Sequence, residues 1–129
     1  MSLSVRVVTP QKIFFEGSAD IVKVPGWQGE YGVLPHHASM LTLSRPGLLS
    51  LKQDSETTLF VVDRGFVEVG PADVSVMVQR CVAVADIDKE EAQSMFNRAK
   101  EALSSLSRND PKYDAARKQV EFTQVLAQA

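Results

Sequence analysis

Cysteine and histidine are scarce in this sequence. Cys81 is the only cysteine among 129 residues, and the histidines are two. A single cysteine forms no internal disulfide and builds none of the thiolate clusters that hold structural metals. Cys81 lies in the apolar run 80–84, which is typical of a small buried side chain in a protein of a reducing compartment.

An excess of charge of either sign is also missing. The chain has 14 Lys and Arg against 16 Asp and Glu, which gives a formal net charge of -2. Nucleic acids and anionic lipids attract clustered Lys and Arg. Neither is therefore predicted as the main partner.

No apolar run is long enough to cross a bilayer, which takes about 20 residues in a helix. Residues 1–9 alternate apolar and polar side chains and lack the continuous apolar core of a signal peptide. Any membrane association is expected to depend on other proteins.

Catalytic patterns are not found either. Gly26, Gly29 and Gly32 open no helix, as the glycines of a dinucleotide fingerprint would, and no phosphate-binding loop ends in Lys-Ser or Lys-Thr. His36 and His37 are adjacent, and adjacent side chains of an extended chain point to opposite faces, which disfavours a shared metal. No serine stands in a nucleophile elbow. The sequence predicts no enzyme, no metal site and no cofactor.

What is present is an ordinary globular composition, with 44% hydrophobic and 23% charged residues. As far as residue 84, short apolar runs rich in Val, Ile and Phe alternate with turn residues. This pattern predicts an antiparallel β-sandwich or barrel. We expect Gly17 and Pro25-Gly26 to end the second and third strands. The predicted strands are 3–7, 13–16, 19–24, 40–43, 48–51, 57–62, 66–69, 74–78 and 81–84.

The segment after the third strand has three glycines, Gly26, Gly29 and Gly32, at a spacing of three. Glycine adopts positive φ and lets another backbone approach closely. Tight turns or a bulged strand are therefore predicted before Val33.

The apolar period changes from two to between three and four at Ala85, which predicts a helix. Asp88 and Glu91 fit an N-cap and capping box. Asp110 and Pro111 fit the N-cap and first position of a second helix. We thus expect two domains, a β-sandwich at 1–85 and a helical hairpin at 86–129. The stripe of the first helix comprises Ala92, Met95, Phe96, Ala99, Ala102, Leu103 and Leu106.

The second helix has few large apolar residues, so it is expected to dock weakly and to have more than one docking position. Arg108, Lys112, Arg117 and Lys118 give this region positive charge. These four side chains form either a solvated face or a patch that meets an acidic partner.

The residues alone leave a binding module open as a function. In that interpretation the glycine-rich loop holds a small molecule or a peptide, and the helical hairpin acts as a lid.

The segment 25–38, PGWQGEYGVLPHHA, resembles the signature of the epsilon subunit of F-type ATP synthases. The resemblance continues in order over nearly the whole chain. Its further matches are Val8-Thr9-Pro10, Phe15-Glu16-Gly17, Arg45-Pro46-Gly47, 65–69, 74–78, and 86–88 with Ala92.

This resemblance implies a flattened antiparallel β-sandwich followed by a C-terminal α-helical hairpin. It also implies a non-catalytic subunit of the central stalk, in which the sandwich binds the gamma shaft and rests on the polar loops of the membrane c-ring. Proton flow is thereby coupled to ATP synthesis. The implied location is the cytoplasmic face of the bacterial plasma membrane, reached through partner subunits.

The resemblance further implies residue roles. Glu30, Tyr31, Gly32, Val33, His36 and His37 correspond to the segment that contacts the c-ring; packing inside the sandwich is the alternative for Tyr31 and Val33. In bacterial members the hairpin also extends along gamma into the catalytic head and restrains ATP hydrolysis. Contacts to the head are then assigned to Arg108, Lys112, Arg117 and Lys118.

Some members of this family bind ATP through an Ile-Asp-x-x-Arg-Ala motif and further arginines. Here Asp88 matches the motif's acid, and Arg98 matches a later arginine. Glu91 replaces the motif's arginine, and Phe122 and Leu126 stand where arginines occur in the second helix. A carboxylate repels phosphates, so ATP is not expected as a regulatory ligand. Arg64 replaces a glycine of the family before Gly65, which is expected to alter that turn.

Overall fold

The computed structural model describes residues 2–129. Contacts between Cα atoms divide the chain into two compact units, one that ends at Ala85 and one that comprises Asp86–Ala129. The first unit is built from strands and the second from helices. A single 3-10 turn, Val84–Asp86, stands where one unit gives way to the other.

The first unit contains ten strands within the described residues, separated by short turns. They are β1 Leu3–Val8, β2 Ile13–Ala19, β3 Ile21–Gly26, β4 Gly29–Val33, β5 Met40–Ser44, β6 Gly47–Gln53, β7 Glu56–Val62, β8 Gly65–Val69, β9 Asp73–Val78 and β10 Cys81–Ala83.

All ten strands belong to one hydrogen-bonded sheet, whose order is β10-β7-β6-β3-β5-β8-β9-β1-β2, with β4 paired to β3. Among the connections between the two halves of this path, three turns are neighbours, those from β5 to β6, from β7 to β8 and from β9 to β10, because Ser44, Gly65 and Val78 lie opposite one another at their starts or ends. The sheet folds over at these turns, which we call the corner. The predicted β-sandwich is confirmed.

One pair of strands differs from the antiparallel prediction, since β1 and β9 run parallel, with Val5 opposite Val74 and Val7 opposite Val76. All the other paired strands are antiparallel. A hairpin turn forces antiparallel pairing only between strands it joins. Because most of the β unit separates β1 from β9 along the chain, that constraint does not apply to them.

The core is formed mainly by every second residue along the strands. β1 buries Leu3, Val5 and Val7 and exposes Ser4 and Arg6. Burying one Val or Leu side chain is worth about 1.5–3 kcal/mol, so this alternation fixes which face of each strand is inside. The other buried core residues are Ala19, Val22, Val24, Val33, Leu49, Leu51, Phe60, Val62, Val67, Val69, Val74, Val76, Val78 and Cys81.

The corner contains a buried carboxylate, that of Asp63, which is 6% exposed. The Arg80 Nε donates to its Oδ2 at 2.9 Å, and the Arg64 backbone N–H donates to its Oδ1 at 2.8 Å. The Ser44 hydroxyl donates to the Asp63 carbonyl oxygen at 3.2 Å. A buried charge is tolerated only when it is paired and hydrogen-bonded. The guanidinium group of Arg64 lies beside the same carboxylate, with Nη1 at 3.7 Å from Oδ1.

Two predicted strand ends are wrong. Gly17 lies inside β2, opposite Val5 of β1. An added Cβ there would come within 3.2 Å of the Phe15 ring. Pro25 and Gly26 lie inside β3, opposite Glu30 and Gly29. The Pro25 carbonyl oxygen still accepts the Arg45 N–H at 2.9 Å, so the proline makes a backbone hydrogen bond here without needing a donor of its own.

The second unit consists of α1, Lys89–Ser104, packed on α2, Tyr113–Gln128. The predicted N-cap of α1 is confirmed, since Asp88 Oδ1 accepts the Glu90 and Glu91 N–H groups at 3.0 and 3.2 Å. Neither described helix has the length and apolar content that a bilayer crossing requires. The buried residues of the two helices are Ala92, Ala99, Phe122, Thr123 and Leu126.

The predicted start of the second helix at Asp110 and Pro111 is wrong. Asp110 Oδ1 accepts the Lys112 N–H at 2.8 Å, and its carbonyl oxygen accepts the Tyr113 N–H at 3.0 Å. Asp110 thus closes a turn that precedes the helix. The N-cap position falls to Lys112, which makes no side-chain capping bond.

Replacing Gly65 by alanine is expected to destabilise the sandwich. The added Cβ would collide with the Met77 carbonyl oxygen and lie 2.6 Å from the Val78 Cα, and backbone atoms of a paired strand cannot move aside. We expect the free energy of unfolding to fall by about 1–3 kcal/mol, measured by urea denaturation. Gly32→Ala is the control: its Cβ would meet the Ile21 Cδ1 at 3.5 Å, an ordinary contact, and should change stability by less than about 0.5 kcal/mol. Equal losses would contradict this account.

Candidate interface on the strand unit

The glycine-rich segment forms the β3–β4 hairpin, with Trp27 and Gln28 at its tip. Gly26 is required because the Tyr31 ring lies directly over it; an added Cβ would approach Tyr31 Cε1 at 2.6 Å. Gly29 is required for another reason, since its φ is +129°. Two of the three glycines thus shape the hairpin around one aromatic ring.

The residues predicted to contact the c-ring alternate between two faces of β4. Glu30 and Gly32 are exposed, Tyr31 is half-buried against the core, and Val33 is fully buried. Burial raises the pKa of Tyr31, and the nearby Thr42 side chain offsets part of that rise, although the phenol oxygen makes no hydrogen bond of good geometry. Of the four predicted contacts on β4, only Glu30 and Gly32 are therefore exposed to a partner.

His36 and His37 lie in the loop after β4. His36 has a φ of 68°, and its backbone N–H donates to the Pro71 carbonyl oxygen at 2.7 Å. The His37 Nδ1 lies 2.8 Å from the Ala38 carbonyl oxygen, to which it donates in the tautomer that has its hydrogen on Nδ1. The backbone bond holds this loop beside the turn before β9.

An open groove of about 660 Å³ lies between the β3–β4 hairpin and β5. It brings together Glu30, Tyr31, Gly32 and His37, whereas Val33 and His36 are not among the residues that line it. Trp27, Leu41 and Leu43 also line the groove and are 61%, 65% and 47% exposed. The groove is therefore lined by both polar and exposed apolar side chains.

A row of apolar side chains continues from this groove across the outer face. Leu43 lies opposite Phe66, Phe66 opposite Met77, Met77 opposite Val8, and Val8 opposite Ile13. We call these five residues the apolar stripe. Four of them are exposed large residues, with Phe66 at 52% and Ile13 at 49%. A contiguous exposed apolar row of this kind marks an interaction surface.

Sequence reasoning did not identify the apolar stripe. Phe66 and Met77 each neighbour a buried valine, Val67 and Val76, so both faces of their strands carry apolar residues. Apolar residues on both faces of a strand indicate that the outer face of the sheet is covered as well as the inner one. Joining the residues into one row, however, requires the cross-strand register.

Two of the four basic residues assigned to contacts of the hairpin with a partner already form ion pairs within α2. Arg117 bonds Asp114 at 2.8 Å and Glu121 at 2.6 Å, and Lys118 Nζ lies 3.1 Å from Asp114. Hydrogen bonds from Arg117 and Lys118 lower the pKa of Asp114, and the bond to Asp114 raises the pKa of Arg117. This part of α2 therefore neutralises itself.

Arg108 and Lys112 differ from that pair. Both side chains are exposed, and they take part in none of the ion pairs found among the described residues. Of the four basic residues assigned to contacts of the hairpin, the two outside these ion pairs thus lie at the turn between α1 and α2.

Asp88 and Arg98, the matches to nucleotide contacts, are not brought together. Ten positions separate them along α1, which at 1.5 Å per residue is about 15 Å. The Asp88 carboxylate caps the helix, and the Arg98 Nε donates to the Ser94 carbonyl oxygen at 3.4 Å. Glu91 is exposed in the first turn between them.

Comparisons with known proteins agree with this architecture. The family model described as ATP synthase, Delta/Epsilon chain, beta-sandwich domain matches residues 2–84. The chain is 39% identical over 128 residues to ATP synthase epsilon chain 2 of Ralstonia nicotianae, covering 98% of this chain and 89% of that protein. It is 34% identical over 110 residues to the ATP synthase epsilon chain of Maricaulis maris, covering 85% and 83%.

Solved structures of ATP synthases contain similar folds. A chain of the Euglena gracilis mitochondrial ATP synthase, solved as OSCP/F1/c-ring, matches 98% of this chain and 80% of its own length, with a TM-score of 0.84 and 17% identity. A chain of the Tetrahymena thermophila mitochondrial central stalk and c-ring matches 98% and 97%, with a TM-score of 0.60 and 15% identity. At such identities the likeness concerns the fold.

Cys81 is expected to react slowly with thiol reagents in the folded chain. Burial raises its pKa to about 12, an effect that the charge of Lys12 only partly offsets, so the reactive thiolate is almost absent at mildly alkaline pH. Alkylation by iodoacetamide, followed by mass spectrometry, should accelerate strongly in urea. Equal rates for folded and unfolded chain would contradict a buried thiol.

Proposed function

We infer that this chain, which belongs to the family of ATP synthase epsilon chains, is a non-catalytic subunit of the central stalk that couples the gamma shaft to the membrane c-ring. Family membership carries the inference. The strand unit provides the fixed attachment, and the hairpin provides a regulatory arm. Both parts act by contact, without chemistry of their own.

The apolar stripe is our candidate for the gamma contact. Its exposed members come from β2, β5, β8 and β9, so a partner that covers it holds several strands at once. Removing an exposed apolar side chain from water contributes roughly 25 cal/mol per Å². An apolar contact of this kind suits a joint that transmits torque permanently.

The polar residues that line the groove are our candidate for the c-ring contact. Glu30 and Gly32 are exposed there, and His37 lines the same groove. Polar loops of a ring are matched by charged and hydrogen-bonding groups, which give specificity of orientation. Of the six residues assigned to this role by resemblance, we retain Glu30, Gly32 and His37 as direct contacts within the groove and assign Tyr31 and Val33 to packing. His36 is exposed in the loop after β4, outside the groove lining, and stays a proposed contact.

The hairpin is proposed to restrain ATP hydrolysis when it reaches the catalytic head. Its two helices bury few large side chains, which keeps the cost of changing position low. Arg108 and Lys112 supply positive charge for an acidic surface of the head. ATP is not part of this proposal, because Asp88 is engaged as a cap and Glu91 opposes phosphate.

The proposed location is the cytoplasmic face of a bacterial plasma membrane. The similar epsilon chains named above come from bacteria. On this proposal the chain is held at the membrane by gamma and the c-ring.

Polar substitutions in the apolar stripe are expected to weaken gamma binding. Phe66→Gln with Met77→Gln should raise the dissociation constant for purified gamma at least about tenfold, or about 1.4 kcal/mol, by titration calorimetry. Leu59→Gln is a matched control, because Leu59 is an exposed leucine, 37%, on β7 in the other half of the sheet path. Retained affinity in the double variant would assign gamma to another face.

Charge removal at the hairpin turn is expected to release hydrolysis. Arg108→Ala with Lys112→Ala should raise the ATPase rate of the assembled complex toward that of a chain truncated after Ala85. Arg117→Ala with Lys118→Ala should have a smaller effect, because these charges are already matched by Asp114 and Glu121. An unchanged rate after truncation would remove the regulatory arm from the proposal and leave the coupling role.

A further inference from the structure

We propose that gamma also binds through the backbone of β2, adding an extended segment to the open edge of this strand at residues 15–19. The inference rests on the proposed function, since it concerns the partner that covers the apolar stripe. In this inference gamma pairs a strand of its own with β2 and also covers the apolar stripe.

β2 has an open edge that few structural features protect. It pairs only with β1, at one end of the sheet path. β10, at the other end, is three residues long, and β4 is five residues long with two glycines. β2 has seven residues and no proline, lysine or arginine, which are the residues that commonly block an edge.

The charge on β2 does not block the edge either. Its one charged residue, Glu16, is paired with Arg6 of β1 at 3.4 Å, on the outer face. The pair is exposed and contributes little to stability, but it leaves the outer face of this part of β2 close to neutral. A bulge opposite Val7 and Val8 confines the regular edge to the stretch after Phe14.

The direction of the free backbone groups follows from one hydrogen bond. The Ser4 N–H donates to the Ala72 carbonyl oxygen at 2.9 Å, on the β9 side of β1. The N–H and C=O of one strand residue point the same way, and the direction alternates along the strand. Val5 and Val7 therefore bond toward β2.

The partners of Val5 and Val7 are Gly17 and Phe15, whose N–H and C=O groups point back at β1. Glu16 and Ser18 must then point theirs to the open side. These two residues offer four backbone hydrogen bonds to an added strand, the mode known as β-augmentation.

The occupant is assigned by continuity. The apolar stripe ends at Ile13, which belongs to β2 itself, so a partner that covers the stripe arrives at this edge. A second copy of the chain would also fit an open edge, and it is the alternative that the experiment must exclude.

Amide exchange distinguishes backbone pairing from contact with the outer face. In the chain alone, by hydrogen exchange with NMR detection, Phe15 and Gly17 should be protected, and Glu16 and Ser18 should exchange rapidly. With gamma bound, Glu16 and Ser18 should slow by about 100-fold or more. Slowing in the chain alone that grows with its concentration would identify a second copy as the occupant and overturn the assignment to gamma.

A substitution of the backbone donor gives an independent test. Ser18→Pro removes an N–H that the fold of the free chain does not use, and it should weaken gamma binding about tenfold. Ser18→Ala keeps the N–H and should bind normally, and thermal unfolding checks that both variants fold. If Ser18→Pro fails to fold, the exchange measurement on the unsubstituted chain still decides.

The outcomes separate this inference from the proposed function. If gamma binds and stripe variants weaken it while Glu16 and Ser18 stay unprotected, the edge is not used and the inference is overturned, but the stalk role stands. If gamma does not bind at all, both are overturned.

Discussion

Cross-strand register is the constraint on which both faces of the β unit depend. Side chains alternate along a strand, so a shift of one residue would move a whole row from the core to the surface. In β8 the same register places Val67 in the core and Phe66 in the apolar stripe. The close approach of Gly65 to the backbone of β9 helps to hold this register. The cross-strand register thus determines both the buried core and the exposed apolar stripe.

The sequence was sufficient for the broad architecture. Alternating valines in β1 and β9, and the change of period near Ala85, follow directly from the side-chain periods of strands and helices. Local signals succeeded where a residue acts within its own turn, as Asp88 does. They failed where one pattern fits two structures: Asp110 and Pro111 resemble a helix start, yet Asp110 closes the preceding turn.

The interface was harder to predict because it depends on partners distant in sequence. Leu43, Phe66 and Met77 look like core residues until the pairing of β5, β8 and β9 places them side by side outside. Conversely, Val33 lies in the signature segment but packs inside. The self-pairing of Arg117 and Lys118 with Asp114 was within reach, since spacings of three and four on a helix predict such contacts.

The buried carboxylate at the corner has a consequence for how this sequence can diverge. Asp63 receives bonds from the Arg80 side chain and the Arg64 backbone, with both guanidinium groups within 4.0 Å of it. Loss of the acid alone would remove the ion pairs that both guanidinium groups make with it, and loss of Arg80 alone would leave a buried anion poorly compensated. Positions 63, 64 and 80 should therefore change together among descendants of this chain, although the last two lie 16 positions apart in sequence.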